Sequence, residues 1–181
     1  SERIRELALA EKEPLGFADA DPVIDTRLSN ELSALAVQHV MARADTFQGG
    51  FGESNKFPSV PQLNYLLDSL TDSRNPEVIE FIELTLDEMA LLGMRDHLSG
   101  GFYRYVVDPG WEIPHFEKML YDNANLAQLY LKAGKVLDKP GYIDVARDTL
   151  DFMMRDMRSD NGALVASFSA VDENEVEGGY Y

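Results

Sequence analysis

The sequence predicts an all-α fold built from repeated α-hairpins, with short extended loop segments between helices. Three observations carry that expectation. Apolar residues recur at steps of three and four in five separate stretches, the spacing that places them on one face of a helix. Aromatic or β-branched runs that would suit strands are few and short. Glycine turns close three of the helical stretches, and each turn follows an Arg/Asp pair: Arg43-Ala44-Asp45, Arg95-Asp96 and Arg155-Asp156. These aspartates lie 51 and 60 residues apart, which reads as a weak internal repeat of up-and-down helix pairs.

In chain order, residues 1–26 are a charged, proline-punctuated lead-in, read as a short helix and linker, and the domain proper spans 27–181. A first helix carries Leu28, Leu32, Leu35 and His39 at helical steps, with His39 read as a packed core histidine. It ends before Gly49-Gly50, whose lack of Cβ suits a chain reversal. A second stripe, Leu63, Leu66, Leu67 and Leu70, follows Pro58 and Pro61. A third helix covers about Glu77–Arg95, with Val78, Ile79, Ile82, Leu86, Met89 and Leu92 turned inward. His97, just beyond it, reads as a partner for the helix C-terminus. After Gly100-Gly101, the run Phe102–Val107 suits a short strand, and Asp108-Pro109-Gly110 is turn chemistry. A fourth helix is expected from Pro114, since proline favours the first helical position, burying Phe116, Leu120, Ala124, Ala127 and Leu131. The fifth carries Ile143, Ala146, Leu150, Met153 and Met157, and a short β-like stretch, Ala163–Ser169, follows it.

The 181 residues suit about one domain, and at 45% apolar they supply ample core. Sixteen basic residues against 32 acidic ones give a net charge of −16. That balance argues against nucleic acid, whose binding needs clustered Lys and Arg, and against anionic membrane surfaces. No apolar run approaches the roughly 18 residues of a membrane span. Ser1-Glu2-Arg3 lacks the apolar stretch of a signal peptide, so a cytoplasmic protein is expected. With no cysteine there are no disulfides, thiolate metal sites or cysteine nucleophiles in the chain.

Four motifs bear chemistry. In Trp111–Ala124, a helix from Pro114 would align His115, Lys118, Asp122 and Asn125 as a polar stripe. His115 would then sit at the positive end of the helix dipole, which lowers an imidazole pKa and suits a general base, with Lys118 holding a substrate oxygen. An ordinary solvated face is the alternative. Gly49-Gly50-Phe51-Gly52 through Lys56-Phe57-Pro58 permits a close backbone turn ending in a lysine, but lacks the order of a phosphate loop. Gly100-Gly101-Phe102-Tyr103-Arg104-Tyr105 combines a guanidinium with rings that stack on a sugar face, or that plug the end of the core. The acidic run Asp172–Glu177 reads as a solvated loop without the fixed order of a calcium loop. No metal site and no cofactor are expected.

Together, Gly49-Gly50-Phe51-Gly52 with Lys56-Phe57-Pro58, Gly100-Gly101-Phe102 with Arg104-Tyr105, and Pro114-His115-Phe116-Glu117-Lys118-Met119-Leu120 with Asp122-Asn123-Ala124 resemble the YyaL-like, thioredoxin-domain-containing family. That family includes the spermatogenesis-associated thioredoxin-domain protein, and the match runs from about Leu28 to the end. The resemblance implies roughly half of an (α/α)6 toroid of the six-hairpin glycosidase type, related to the N-acylglucosamine 2-epimerase group. The chain departs from the family pattern in having no thioredoxin domain and no cysteine, in Glu53-Ser54-Asn55 before Lys56, and in Val171 beside Asp172.

On this resemblance Lys56, Arg104, Tyr105, His115, Glu117, Lys118, Asp122 and Asn123 map onto the family's motif positions. The function implied is an isomerase- or epimerase-like sugar site. His115, Glu117 and Asp122 would be catalytic there, with Lys56, Arg104, Tyr105, Lys118 and Asn123 binding a sugar-like small molecule. A glycoside-hydrolase-like site and a non-catalytic module of a thioredoxin-domain-containing protein are the alternatives. Open apolar helix faces would favour self-association or pairing with further hairpins.

Overall fold

The computed structural model describes residues 26–180, so the expected lead-in lies outside the described residues except at its last position. The chain divides into two units, Ser1–Leu32 and Ser33–Tyr181. Of the first unit, the described part is the opening of helix α1, where Leu28 and Leu32 are exposed.

Five helices are present among the described residues: α1 (Thr26–Met41), α2 (Val60–Ser69), α3 (Pro76–Leu91), α4 (Leu120–Val136) and α5 (Pro140–Arg155). Their starts follow local chemistry. Asn75 accepts a hydrogen bond from the Glu77 amide at 3.0 Å, and Pro76 supplies a fixed φ in the first turn of α3. Pro140 opens α5 in the same way. His97 contacts the Leu92 carbonyl at 3.1 Å just past α3, the partnership expected for it.

Periodicity located the helices better than it chose their buried faces. The predicted faces of α2 and α3 are the observed ones: Leu63, Leu66 and Leu67 are fully buried, as are Ile82, Leu86 and Met89. In α1, however, Leu35 and His39 face outward, and Val37, Val40 and Met41 pack on the core instead. In α4, Leu126, Leu129, Tyr130 and Ala133 replace the expected Ala124 and Leu131. In α5, Leu150 is exposed and Tyr142, Val145, Thr149 and Phe152 turn inward. Each of these helices carries two apolar arcs, and the neighbouring helix selects one. Tyr130 illustrates the selection: its ring stacks 5.5 Å from Phe102, and its hydroxyl donates to the Leu86 carbonyl at 2.7 Å, tying α4 to α3.

Two short antiparallel ribbons link the helix ends. β1 (Tyr105–Val106) pairs with β2 (Pro114–His115), with Tyr105 opposite His115. β3 (Lys118–Met119) pairs with β4 (Ser167–Phe168), with Lys118 opposite Phe168. This corrects the expected start of the fourth helix. Residues 114–115 and 118–119 commit their backbone to ribbons, Met119 is extended, and α4 begins only at Leu120. His115, Lys118 and Asp122 therefore share no helix face, and no helix N-terminus lies under His115.

Among the described residues, no helix is long and apolar enough to cross a membrane.

Candidate functional site

The glycine turns position everything around them, and the first two share one construction. In the first, the Asp45 amide donates to the Gly50 carbonyl at 2.9 Å, and Asp45 Oδ1 accepts from the Phe47 and Gln48 amides at 3.0 and 2.9 Å. Asp45 Oδ2 receives Lys56 Nζ at 2.7 Å, and the same ammonium donates to the Gly49 carbonyl at 2.6 Å. In the second turn, the Asp96 amide donates to the Gly101 carbonyl at 3.0 Å, and Oδ1 accepts from the Leu98 and Ser99 amides at 2.8 and 3.0 Å. Lys118 Nζ then bridges Asp96 Oδ2 at 2.6 Å and the Gly100 carbonyl at 2.9 Å.

The third turn keeps the closing bridge with one residue fewer and changes the chemistry. The Arg158–Leu164 bridge matches Ala44–Phe51 and Arg95–Phe102, and the Ser159 amide donates to the Ala163 carbonyl at 2.8 Å. Its counterpart of Asp45 and Asp96 is thus Ser159, not the expected Asp156. A serine hydroxyl, donating to Ala163, needs no lysine to neutralise it. Asp156 instead pairs with Arg155 near the surface.

Lys56 and Lys118, expected at a substrate, have fully buried side chains with their ammonium groups turned into these latches. Burial pushes the Lys118 pKa down, opposed by Asp96. For Asp96, burial pushes upward, but Lys118 and the Ser99 and Leu98 amides outweigh it and hold the carboxyl below its ordinary value. Asn123, also expected at a substrate, is fully buried. Its Oδ1 accepts from the Phe102 amide at 2.7 Å, and its Nδ2 donates to the carbonyls of Phe102 and Met119 at 3.0 and 2.9 Å.

The other five predicted residues fall into two groups beside the ribbons, Arg104 with Glu117 and Asp122, and Tyr105 with His115, and the Lys56 and Val106 backbones join β1 to the first turn by two 3.0 Å bonds. Arg104 Nη1 donates to Glu117 Oε2 at 2.8 Å, a half-exposed ion pair that contributes under about 1 kcal/mol. Asp122 lies in the fields of both. Its Oδ2 is buried without a hydrogen-bond partner, and its pKa is raised to about 6 by burial, with Glu117 adding and Arg104 opposing. The Tyr105 ring is sandwiched between Phe57, at 4.6 Å, and His115, at 4.8 Å. His115 Nδ1 meets Glu177 Oε1 at 2.8 Å.

Phe57 and Glu177 thus join the Tyr105–His115 group although neither is a predicted site residue. Glu177 was read as one of a solvated acidic run, and its reach to a histidine 62 positions away left no local signal. Among the described residues no group of acids and histidines is arranged to hold a metal ion. A separate cavity of about 1230 Å³ beside the first turn is lined by residues such as His39, Asp45, Phe47 and Glu53, and by none of these five.

The raised Asp122 pKa makes a stability prediction. A carboxyl with a folded pKa above its ordinary 3.8 stabilises the fold fully below that value and loses the contribution as pH rises through about 6. Asp122→Asn is therefore expected to raise the denaturation midpoint at pH 7 and to leave it unchanged or lower at pH 3.5. Equal effects at both pH values would contradict the buried, orphaned carboxylate.

Over 146 residues the chain is 36% identical to spermatogenesis-associated protein 20 of Mus musculus, a match taking in 76% of this chain and 18% of the mouse protein. Among solved structures, cellobiose 2-epimerase from Spirochaeta thermophila matches with a TM-score of 0.67 at 16% identity, over 82% of this chain and 42% of that one. A sugar epimerase from a ruminal bacterium matches with a TM-score of 0.70 at 13% identity, over 80% and 40% of the two chains. At such identities the likeness carries the fold and no residue roles. No family profile matches the chain. It spans about a fifth of the length of the mouse relative and about two-fifths of these structures. By its sequence this chain belongs to the spermatogenesis-associated protein 20 family, and its fold is that of the six-hairpin, (α/α)6-toroid group.

Proposed function

We propose that the surface around Tyr105 and His115 binds a sugar and that His115 is its acid–base group, in a reaction of the isomerase or epimerase type. The observation that carries this reading is the 2.8 Å contact between Glu177 and His115 Nδ1, made while the ring stacks on Tyr105. A carboxylate on Nδ1 fixes the ring and favours the tautomer with Nε2 free to accept a proton. In such a reaction, Nε2 of the neutral imidazole removes the proton from the carbon beside the carbonyl of the ring-opened sugar, leaving an enediolate; Glu177 steadies the imidazolium, which returns the proton to the opposite face of that carbon in an epimerisation or to the former carbonyl carbon in an isomerisation. Arg104 and Glu117 offer a donor and an acceptor to ring hydroxyls, and exposed aromatic surface at Phe57 suits a sugar face.

The hydrolase alternative has less support. Glycosidases need two carboxyl groups flanking the scissile bond, whereas Glu117 and Asp122 lie in one another's field beside a single arginine. An interaction or structural module of a longer protein is favoured by a different observation, the burial of Lys56, Lys118 and Asn123, which spends much of the motif on holding turns together.

The chain incubated with cellobiose in deuterated water is expected to introduce deuterium at C2 of the reducing unit, read by proton NMR. His115→Ala should slow that exchange about 10²- to 10⁴-fold. Exchange unaffected by His115→Ala would remove the histidine from the chemistry. Absence of both exchange and saturation-transfer signals from the sugar would sink the reading in favour of the interaction module.

A further inference from the structure

Unlike Phe57, Tyr105 and His115, the carboxylate of Glu177 comes from beyond α5, and its side chain is 51% exposed. An exposed carboxylate on a loose chain gains little from such a contact, because ordering two side chains offsets the attraction. Here both neighbours of Glu177 are fixed. On one side, Asp172 Oδ1 accepts from the Asn174 and Val176 amides at 2.8 and 2.9 Å, and the Asp172 amide donates to the Val176 carbonyl at 3.0 Å. The Val176 and Asn174 amides hold the Asp172 carboxyl below the ordinary carboxylate range, so the cap stays charged near neutral pH. On the other side, the Gly178 amide donates to the Ala170 carbonyl at 2.8 Å. Gly178 has φ of +72°, and a Cβ there would lie 2.9 Å from the ring of Phe116, the residue next to His115. Phe116 in turn meets the buried Tyr103 edge to face at 5.2 Å.

The loop between β1 and β2 contains the same turn with a different residue at the decisive place. Asp108 Oδ1 accepts from the second and fourth amides after it, Gly110 and Glu112, at 2.8 and 3.2 Å, the pattern that Asp172 repeats. The third residue after each aspartate, Trp111 or Glu175, has φ of 62° or 61°. The fifth residue pairs across the turn with the one before the aspartate, Ile113 with Val107 and Glu177 with Val171. One capped turn therefore carries an isoleucine where the other carries the partner of His115.

We propose that Asp172 is a positioning residue for His115, capping its turn so that Glu177 is held on Nδ1 of the imidazole. Its value to catalysis rests on the acid–base reading of His115 given above. Asp172 touches no reacting atom; it acts through the backbone of Val176 and so sets where Glu177 begins. Gly178 completes the device by letting the chain lie flat against Phe116.

The state of the imidazole reports this directly. At about pH 8, where an ordinary histidine is neutral, nitrogen–proton NMR correlations across the His115 ring show which nitrogen carries the proton. Glu177→Ala should lower the ratio of the Nδ1-protonated to the Nε2-protonated ring at least about tenfold, the worth of a hydrogen bond to a charged partner. Asp172→Ala should lower the same ratio about threefold or more, and Asp172→Asn, which keeps an acceptor oxygen, should restore it. Gly178→Ala should act as Asp172→Ala does, and it serves if that variant does not fold. Amide shifts of Lys118 and Asn123 should stay unchanged in all of them. A His115 ring indifferent to Asp172→Ala and Gly178→Ala, or a change that Asp172→Asn fails to reverse, would overturn the proposal. Deuterium exchange into cellobiose tests the underlying reading separately: a ring that responds while exchange ignores His115→Ala supports the positioning and removes only the acid–base role.

Discussion

Lys118→Ala is expected to cost about 3–5 kcal/mol of stability, because it strips one partner from a buried ion pair and leaves the other charge uncompensated. Lys118 is fully buried, Asp96 is 5% exposed at its side chain, and the Gly100 carbonyl loses its donor in the same change. For a chain of this length that loss corresponds to a fall in Tm of roughly 6–20 °C. Asp96→Asn retains an acceptor for the Leu98 and Ser99 amides while removing the charge, so combining it with Lys118→Ala should recover part of the loss. The pH dependence has a definite sign. Asp96 is held below its ordinary pKa, so its contribution is present above 3.8 and disappears as pH falls through the lowered value. The variant should lose that acid-side dependence. Chemical denaturation across pH 2–7 measures both effects, and a loss under about 1 kcal/mol would mean that solvent relieves Asp96, contrary to its burial.

The second large effect is expected from Gly101→Ala, at about 2–5 kcal/mol. The backbone there has φ of +76°, where an alanine costs roughly 1–2 kcal/mol. Its Cβ would also lie 2.3 Å from Phe152 Cδ1, and overpacking of that kind costs about 1–3 kcal/mol more. Gly52→Ala separates the two contributions, since Gly52 has φ of +90° with nothing within 4 Å of the new atom. It should show the backbone cost alone. Equal losses for both variants would show that Phe152 moves aside freely and that the ring does not define the second turn.

These turns also mark how far sequence reasoning reached. Asp45, the glycine pair and Lys56 all stood out by residue type, as did Asp96, Gly100-Gly101 and Lys118. Their joining into latches did not, because the ion pairs span 11 and 22 positions and the lysines looked like free cations. The third member was misplaced at Asp156 because the Arg-Asp pattern is local, whereas the bridge that defines the turn selects Ser159. The start of α4 was misread for a related reason. Pro114 is a good helix opener in isolation, but pairing of residues 114–115 with β1 satisfies the backbone before a helix forms. Of the predicted site residues, Arg104, Glu117 and Asp122 form one electrostatic group and Tyr105 stacks on His115. The histidine's partner Glu177 came from a stretch that composition alone made look inert.

By itself the sequence determined five helices, their glycine punctuation, the family and the all-α class, because helix formation and turn geometry depend on neighbours a few residues apart. The tertiary structure alone decided which apolar arc each helix buried and which charges were enclosed. It also decided which carboxylate met His115. Those outcomes depend on desolvation and on contacts between distant segments, and a side chain's chemistry is settled only when the groups that exclude water from it are in place.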